Sequence, residues 1–418
     1  MIVLNIIIFS IILFIVLIAY IKILYPFWNI QPVYHKYDYW RSLYIKPFIV
    51  YKHIPIKTKF CDFDTIKTIE YLECSQTQKE ELVNLIQCYY MPTERLLYTI
   101  DGKNIDSYMT GAGEPSYISF YNQKIYDISG DIICYNKPIA CICSRHLKFF
   151  YRDGPFETVY RELSIYFIDL LCVQREQNIV NISRKLLQTH EYNQRIKNPN
   201  ITVSLLKKEV ELFNGVVPLV SYNTSTYSIR NIEFSALPNG FHIILINKEN
   251  IDLLIDFIHI QTHYYYQKDN PCIFDICIIA DIASLIDMIN QKILYVFCLR
   301  NGEHIYGYYF IKDAKTQYED LIGDGGETGH TLHCISSMMN MESNHIFYLG
   351  FLHSLYSILK LNKKFKILLF DEIGHNVRLL QYWKRKFSPV FTTPSAYYLY
   401  NMIFPNSPVD SDRCLIVI

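Results

Sequence analysis

The sequence has no net charge, because 40 Lys and Arg residues balance 40 Asp and Glu over 418 positions. A neutral chain sets up no global field toward nucleic acid or acidic lipid, which argues against nucleic-acid binding. The 12 cysteines include no C-x-x-C pair, only Cys141 and Cys143 as C-x-C, and Cys172, Cys272, Cys277 and Cys298 sit in apolar runs. That pattern fits buried, reduced thiols better than zinc sites or disulfides. A G-x-x-x-x-G-K phosphate loop and a G-x-S-x-G nucleophile elbow are both missing, which removes P-loop nucleotide chemistry and the usual serine-hydrolase arrangement. His259 and His263 stand at i, i+4 in HIQTH, but the glutamate of a zinc protease is absent. His330, His333 and Cys334 form HTLHC with no second ligand pair at a recognisable spacing, and they read as loop or packing residues. No metal is therefore expected. Low-complexity linkers and internal repeats are also lacking.

What remains is a large, apolar, Tyr-rich chain: 50% of residues are hydrophobic and 36 are Tyr. Its length exceeds one typical domain and predicts two lobes with a substantial core. From Ile2 to Leu24 only Asn5, Ser10, Tyr20 and Lys22 interrupt an apolar run, which reaches the roughly 20 residues needed to cross a bilayer. Without a basic leader or a small-residue cleavage site, the run reads as an uncleaved transmembrane anchor. Lys22, Lys36, Arg41, Lys46 and Lys52 follow it, and this bias predicts a single-pass membrane protein whose body faces the cytosol.

Beyond the anchor the pattern is mixed α/β. Leu82, Leu85 and Ile86 recur at helical spacing in 76–88 after a Ser75/Thr77 cap region, whereas 137–150 alternates like a strand. Residues 166–173 read as a strand leading into a helix over 183–194. The runs 293–299 and 306–311 read as a hairpin turning at Asn301-Gly302. A helix over 347–361 and a buried strand over 366–370 follow. Leu237-Pro238-Asn239-Gly240 marks the turn between lobes, giving an anchor over 1–24 and halves over 25–235 and 236–418.

Three separated blocks resemble the protein N-myristoyltransferases in the right order. Phe27-Trp28-Asn29-Ile30-Gln31-Pro32-Val33 is similar to the family's F-W-x-x-Q-P-V element. Leu170-Leu171-Cys172-Val173, followed by Asn214-Gly215-Val216-Val217 and Thr224 to Tyr227, is similar to its F-L-C-V strand and A-G-V-V element. Tyr397-Tyr398-Leu399-Tyr400-Asn401, with Phe365 to Asn376 and Trp383 to Phe387 upstream, resembles its closing strand, helix and Y-Y-L-Y-N block.

The resemblance implies two acetyltransferase-like (acyl-CoA N-acyltransferase) halves around a saddle-shaped mixed sheet, acting as a monomer on N-terminal glycine peptides or proteins. Myristoyl-CoA would be the acyl donor, with no prosthetic group. By resemblance, Phe27, Trp28, Leu170, Leu171, Cys172 and Val173 contact the donor, and Gly215, Tyr227 and Tyr397 the peptide. The backbone N–H groups of Leu170 and Leu171 would hold the thioester oxygen, and the α-carboxylate of Ile418 would act as base, its pKa raised by the apolar end Leu415-Ile416-Val417-Ile418. Cys172, flanked by Leu171 and Val173, reads as inert rather than nucleophilic.

Two departures stand out. Where the family has a basic R-S-K-R loop for the CoA phosphates, this chain has Asn178-Ile179-Val180-Asn181, with Arg175, Arg184 and Lys185 nearby. Where the family has a G-x-G-D-G peptide loop, Ser388 to Thr393 stand instead, and Asp324-Gly325-Gly326 imitates that loop only superficially. The alternatives are an inactive acyl- or peptide-binding pseudoenzyme of the same fold and an unrelated membrane-anchored structural protein.

Overall fold

The computed structural model describes residues 2–38, 40, 43–91, 96–111, 113–125, 135–153, 160–229, 232, 234–263, 274–318, 329–340 and 343–418. Cys272, the Asp324-Gly325-Gly326 turn and the His263 side chain lie outside the described residues.

Eight helices are described: α1 (Ile2–Leu24), α2 (Gln76–Tyr89), α3 (Gly102–Met109), α4 (Ile179–Lys197), α5 (Asp252–His263), α6 (Ile282–Asn290), α7 (Asn344–Leu361) and α8 (Asn376–Trp383). The described strands of the first half are β1 (Phe48–Ile49), β2 (Ile66–Glu70), β3 (Leu96–Tyr98), β4 (Tyr117–Ile125), β5 (Tyr135–Tyr151), β6 (Arg161–Val173), β7 (Ser204–Glu209) and β8 (Val220–Ser228). Those that follow are β9 (Phe241–Leu245), β10 (Ile276–Ala280), β11 (Leu294–Asn301), β12 (His304–Tyr318), β13 (Gly329–Met339), β14 (Phe365–Asp371), β15 (Phe391–Tyr400), β16 (Met402–Ile403) and β17 (Cys414–Val417).

Helix α1 is apolar on every side, and none of its most hydrophobic stretch is buried against the body. A helix packed into the core would be covered, and this one is not. Helix α2 starts where a capping box predicts: Ser75 accepts from the Gln78 N–H, and the Gln78 side chain caps the Ser75 N–H in return. Helix α4 begins at Ile179, four residues before the helix predicted at 183. The Asn178 side chain accepts the Asn181 N–H and turns the polar stretch into the first helical turn. The hairpin at Asn301-Gly302 forms, with Asn301 opposite His304 and Gly302 at φ +58°. HTLHC is not a loop. It lies within β13, where alternation puts His333 on one face and His330 and Cys334 on the other.

Fifteen strands join in one mixed sheet with a central path β17-β10-β5-β6-β7-β15-β8-β14-β13-β12-β11-β9. Each half lends strands to the other: β10 and β17 extend the edge of β5, and β3 pairs with β12. Between β6 and β7 the pairing is parallel and brief, joining only Tyr166–Ile168 to Ser204–Leu206. Beyond Ile168 the two strands part, with α4 following β6 directly.

The three separated sequence blocks converge in a single apolar cluster containing Phe27, Val33, Val173, Val216, Tyr398 and Tyr400. Residues 25–33 form a strap across it. Trp28 meets Phe213 at 4.5 Å between ring centres, Val33 bridges to Tyr400, and the Asn401 N–H donates to the Pro32 carbonyl at 2.7 Å.

Candidate active site

The parting strands expose an irregularity in β6. Its register to β5 runs Cys143 to Asp169 and then Cys141 to Cys172, so Leu170 and Leu171 together face the single residue between Cys141 and Cys143. This is a β-bulge, a device that re-aims backbone groups near functional sites. Leu170 adopts φ +54°, a left-handed conformation that is costly for a residue with a Cβ and persists only where its surroundings enforce it. The buried Leu170 side chain holds it there. The Leu170 N–H donates to Oδ1 of Asp169 at 2.7 Å, and the same oxygen accepts from the Tyr90 hydroxyl at 3.0 Å.

Around the bulge lies a cavity of about 30 Å³, lined by residues that include Tyr108, Cys143, Arg145, Asp169, Leu170 and Lys312. Arg145 is buried, with its guanidinium over the rings of Tyr108 (5.1 Å) and Phe167 (5.4 Å). Lys312 reaches in from β12: its Nζ lies 4.6 Å from the Tyr108 ring centre and 3.5 Å from the main-chain oxygen of Ile418. Burial, reinforced by the Arg145 charge and opposed by Asp169, pulls the Lys312 ammonium down to about 7. Lys312 thus sits both at the bulge cavity and at Ile418, whose strand β17 arrives along β10.

Tyr397 borders this charged zone. It stacks on Tyr222 at 5.9 Å, lies 5.8 Å from Lys207 Nζ, and burial pushes its hydroxyl up to about 12. A second buried cluster continues along β8, β13 and β14. Asp371 pairs with His333 at 3.0 Å and accepts from the Thr224 hydroxyl at 2.7 Å. Burial works against the Asp371 charge, but His333 and Lys207 hold its carboxyl below the usual range.

The remaining residues singled out from the sequence lie elsewhere. Phe27 and Trp28 belong to the strap. Gly215 sits beneath it at φ +81°, where an added Cβ would meet the Tyr25 ring at 2.9 Å. Tyr227 is buried against Trp383 in the core of the other half, 5.7 Å between ring centres. Cys172 is buried with its Sγ 3.2 Å from that of Cys141. Residues 391–393 continue strand β15 beside β8 and form no loop. At the start of α4, Asn178, Ile179, Val180 and Asn181 are exposed, and Lys185 is committed to Asp62 at 2.8 Å.

Arg145, Asp169 and Lys312 escaped the sequence reading. Alternation carried their signal: Arg145 follows Cys141 and Cys143 on one strand face, and Lys312 follows Tyr308 and Phe310, all apolar neighbours being buried. A charge in phase with a buried face is a site signal that composition hides.

No family model and no curated protein matches the chain. Solved structures do. The crystal structures of Saccharomyces cerevisiae N-myristoyltransferase with bound myristoyl-CoA superpose with a TM-score of 0.64, covering 93% of this chain and 89% of that one at 12% identity. The same enzyme with bound myristoyl-CoA and inhibitors gives 0.64 again, covering 94% of each chain at 12% identity. The chain has the N-myristoyltransferase fold. Its one mixed sheet interleaves strands from early and late in the chain, as where β3 pairs with β12 and β10 with β5.

Proposed function

We propose that this protein transfers a myristoyl group from myristoyl-CoA to the N-terminal glycine amine of target proteins, as a monomer. The observation that carries the proposal is the Leu170–Leu171 bulge, which opens where β6 and β7 part and shares Lys312 with Ile418. The thioester carbonyl replaces the Asp169 carboxylate at the Leu170 N–H and takes the Leu171 N–H as well, so that negative charge developing on its oxygen meets fixed dipoles. The substrate ammonium gives up a proton to the Ile418 α-carboxylate, and its free amine attacks the thioester carbon. Coenzyme A thiolate then leaves with the electron pair of the broken C–S bond and takes up the second proton shed by the nitrogen as the amide forms. Lys312, opposite the carboxylate, keeps that base oriented. Phe27, Trp28, Cys172 and Val173 wall the donor, while Tyr397, with the more remote Gly215 and Tyr227, shapes the peptide side. Helix α1 spans the membrane once and leaves the body at the cytosolic surface, where a singly acylated product gains weak, reversible membrane affinity.

Adding ten residues after Ile418 tests the base assignment. Transfer to a Gly-initiated peptide should fall by roughly 100-fold or more; undiminished transfer would refute the carboxylate role.

A second reading, a pseudoenzyme that binds acyl or peptide ligands without reaction, is favoured by three observations. No cation stands among Asn178 to Asn181, Lys185 is held by Asp62, and the cavity at Leu170 has the volume of about one water. Binding of myristoyl-CoA without transfer would select it.

A further inference from the structure

A much larger cavity, of about 560 Å³, lies at the foot of α1 and is separate from the bulge. Its wall combines Lys22 from the last turn of α1, Lys59, Pro26 and residues 29–32 of the strap, and Gln188 and Tyr400 from the body. Gln188 is nine residues into α4 from Ile179, about 13 Å along the axis, so this cavity is remote from the helix start expected to meet CoA.

Three features describe what it takes. Lys22 and Lys59 are both exposed, and among the described residues neither has an ion-pair partner, so the cavity mouth is cationic. Inside, the Tyr400 hydroxyl donates to Oε1 of Gln31 at 2.7 Å and receives Nε2 of Gln188 at 3.5 Å. That chain leaves Gln31 Nε2 as a donor and Gln188 Oε1 as an acceptor without partners, on side chains only 3% and 2% exposed. Buried polar groups of this kind are normally satisfied. Finally, the rim is apolar and rigid: Ile54 and Ile56 are 64% and 65% exposed, on a loop that Arg195 clamps through the Tyr51 and His53 carbonyls at 2.8 and 2.5 Å.

We infer that this cavity seats the headgroup of an anionic glycerophospholipid from the membrane that α1 enters. The phosphate meets Lys22 and Lys59, an ester or phosphoryl oxygen accepts from Gln31 Nε2, and a headgroup hydroxyl or amine donates to Gln188 Oε1. Ile54 and Ile56 rest in the lipid surface beside it. A headgroup with both an anion and a donor, such as a serine or glycerol phosphate, satisfies every open position, whereas a choline headgroup lacks the donor. The inference rests on α1 spanning the membrane.

Native mass spectrometry of the full chain in detergent, titrated with phosphatidylserine or phosphatidylcholine, tests it. Alkaline carbonate extraction of membranes reports the span separately, so failure of the span and failure of the cavity are told apart. A phosphatidylserine adduct should form in preference to phosphatidylcholine, and Lys22→Ala with Lys59→Ala should weaken it by roughly 30-fold. Gln188→Met, which keeps side-chain volume, should weaken it without altering expression. Equal retention of the two lipids, an adduct indifferent to the double variant, equal affinity for inorganic phosphate, or displacement by myristoyl-CoA would each overturn the proposal.

Discussion

Replacing Lys312 by Met should stabilise the protein, and by an amount that depends on pH. In the unfolded chain this lysine keeps its proton to 10.5, whereas in the folded protein it keeps it only to about 7. Below pH 7 both states are protonated and the full cost of burying the ammonium is present. Between about 7 and 10.5 the unfolded state holds one more proton, so stability rises with pH; above that window the cost is gone. The whole gap corresponds to about 5 kcal/mol at 1.36 kcal/mol per pH unit. Lys312 keeps some exposure, and Met leaves Asp169 and Ile418 with one cation fewer, so roughly half of that, about 2 to 3 kcal/mol, is the expected gain at pH 6. Urea unfolding of the full chain and the Lys312→Met variant at pH 6, 8 and 10 reads the difference. The gain should shrink steadily and be close to zero at pH 10. A gain of the same size at every pH, or a loss at pH 6, would refute a strained ammonium in the cavity.

Three further outcomes are expected. Glu191 is 1% exposed, and burial, opposed by Ser204 and Arg195, pushes its carboxyl up to about 7. The folded state then keeps a proton that the unfolded state has released, stability falls between pH 4.5 and 7, and Glu191→Gln should add about 3 kcal/mol at pH 8 and nothing at pH 4, read from urea midpoints. His190 and His375 are buried and lowered to about 3 by burial, so stability should drop as pH falls from about 6.5 toward 3, visible as an acid unfolding transition. Val180 is 59% exposed at the start of α4, so Val180→Arg should lower the KM for myristoyl-CoA by roughly tenfold at low salt; no change at low salt, or the same change at 1 M salt, would argue against phosphate contact there.

Local chemistry made much of the fold legible. The Ser75 cap, the Asn301-Gly302 turn and the largely apolar run up to Leu24 each act within a short window, and the elements they predict are present. The three blocks were also readable, since each keeps residue types that a shared cluster requires. What stayed hidden depends on distance along the chain. The bulge at Leu170 exists only because β5 sets the register, and nothing in Leu-Leu-Cys-Val announces a positive φ. The cavity around it draws Lys312, Arg145 and Asp169 from three strands, two of them in one half and one in the other, and no local window contains the set. The early start of α4 was missed because an asparagine that reads as loop served as a cap.

Incubating the full chain in detergent with radiolabelled myristoyl-CoA and a Gly-initiated peptide decides whether this fold transfers an acyl group. Label should appear in the peptide, joined through an alkali-stable amide, and be lost when the peptide begins with Ala. Label retained on the protein with none in the peptide would contradict the acyltransferase reading and leave a binding protein on the same fold.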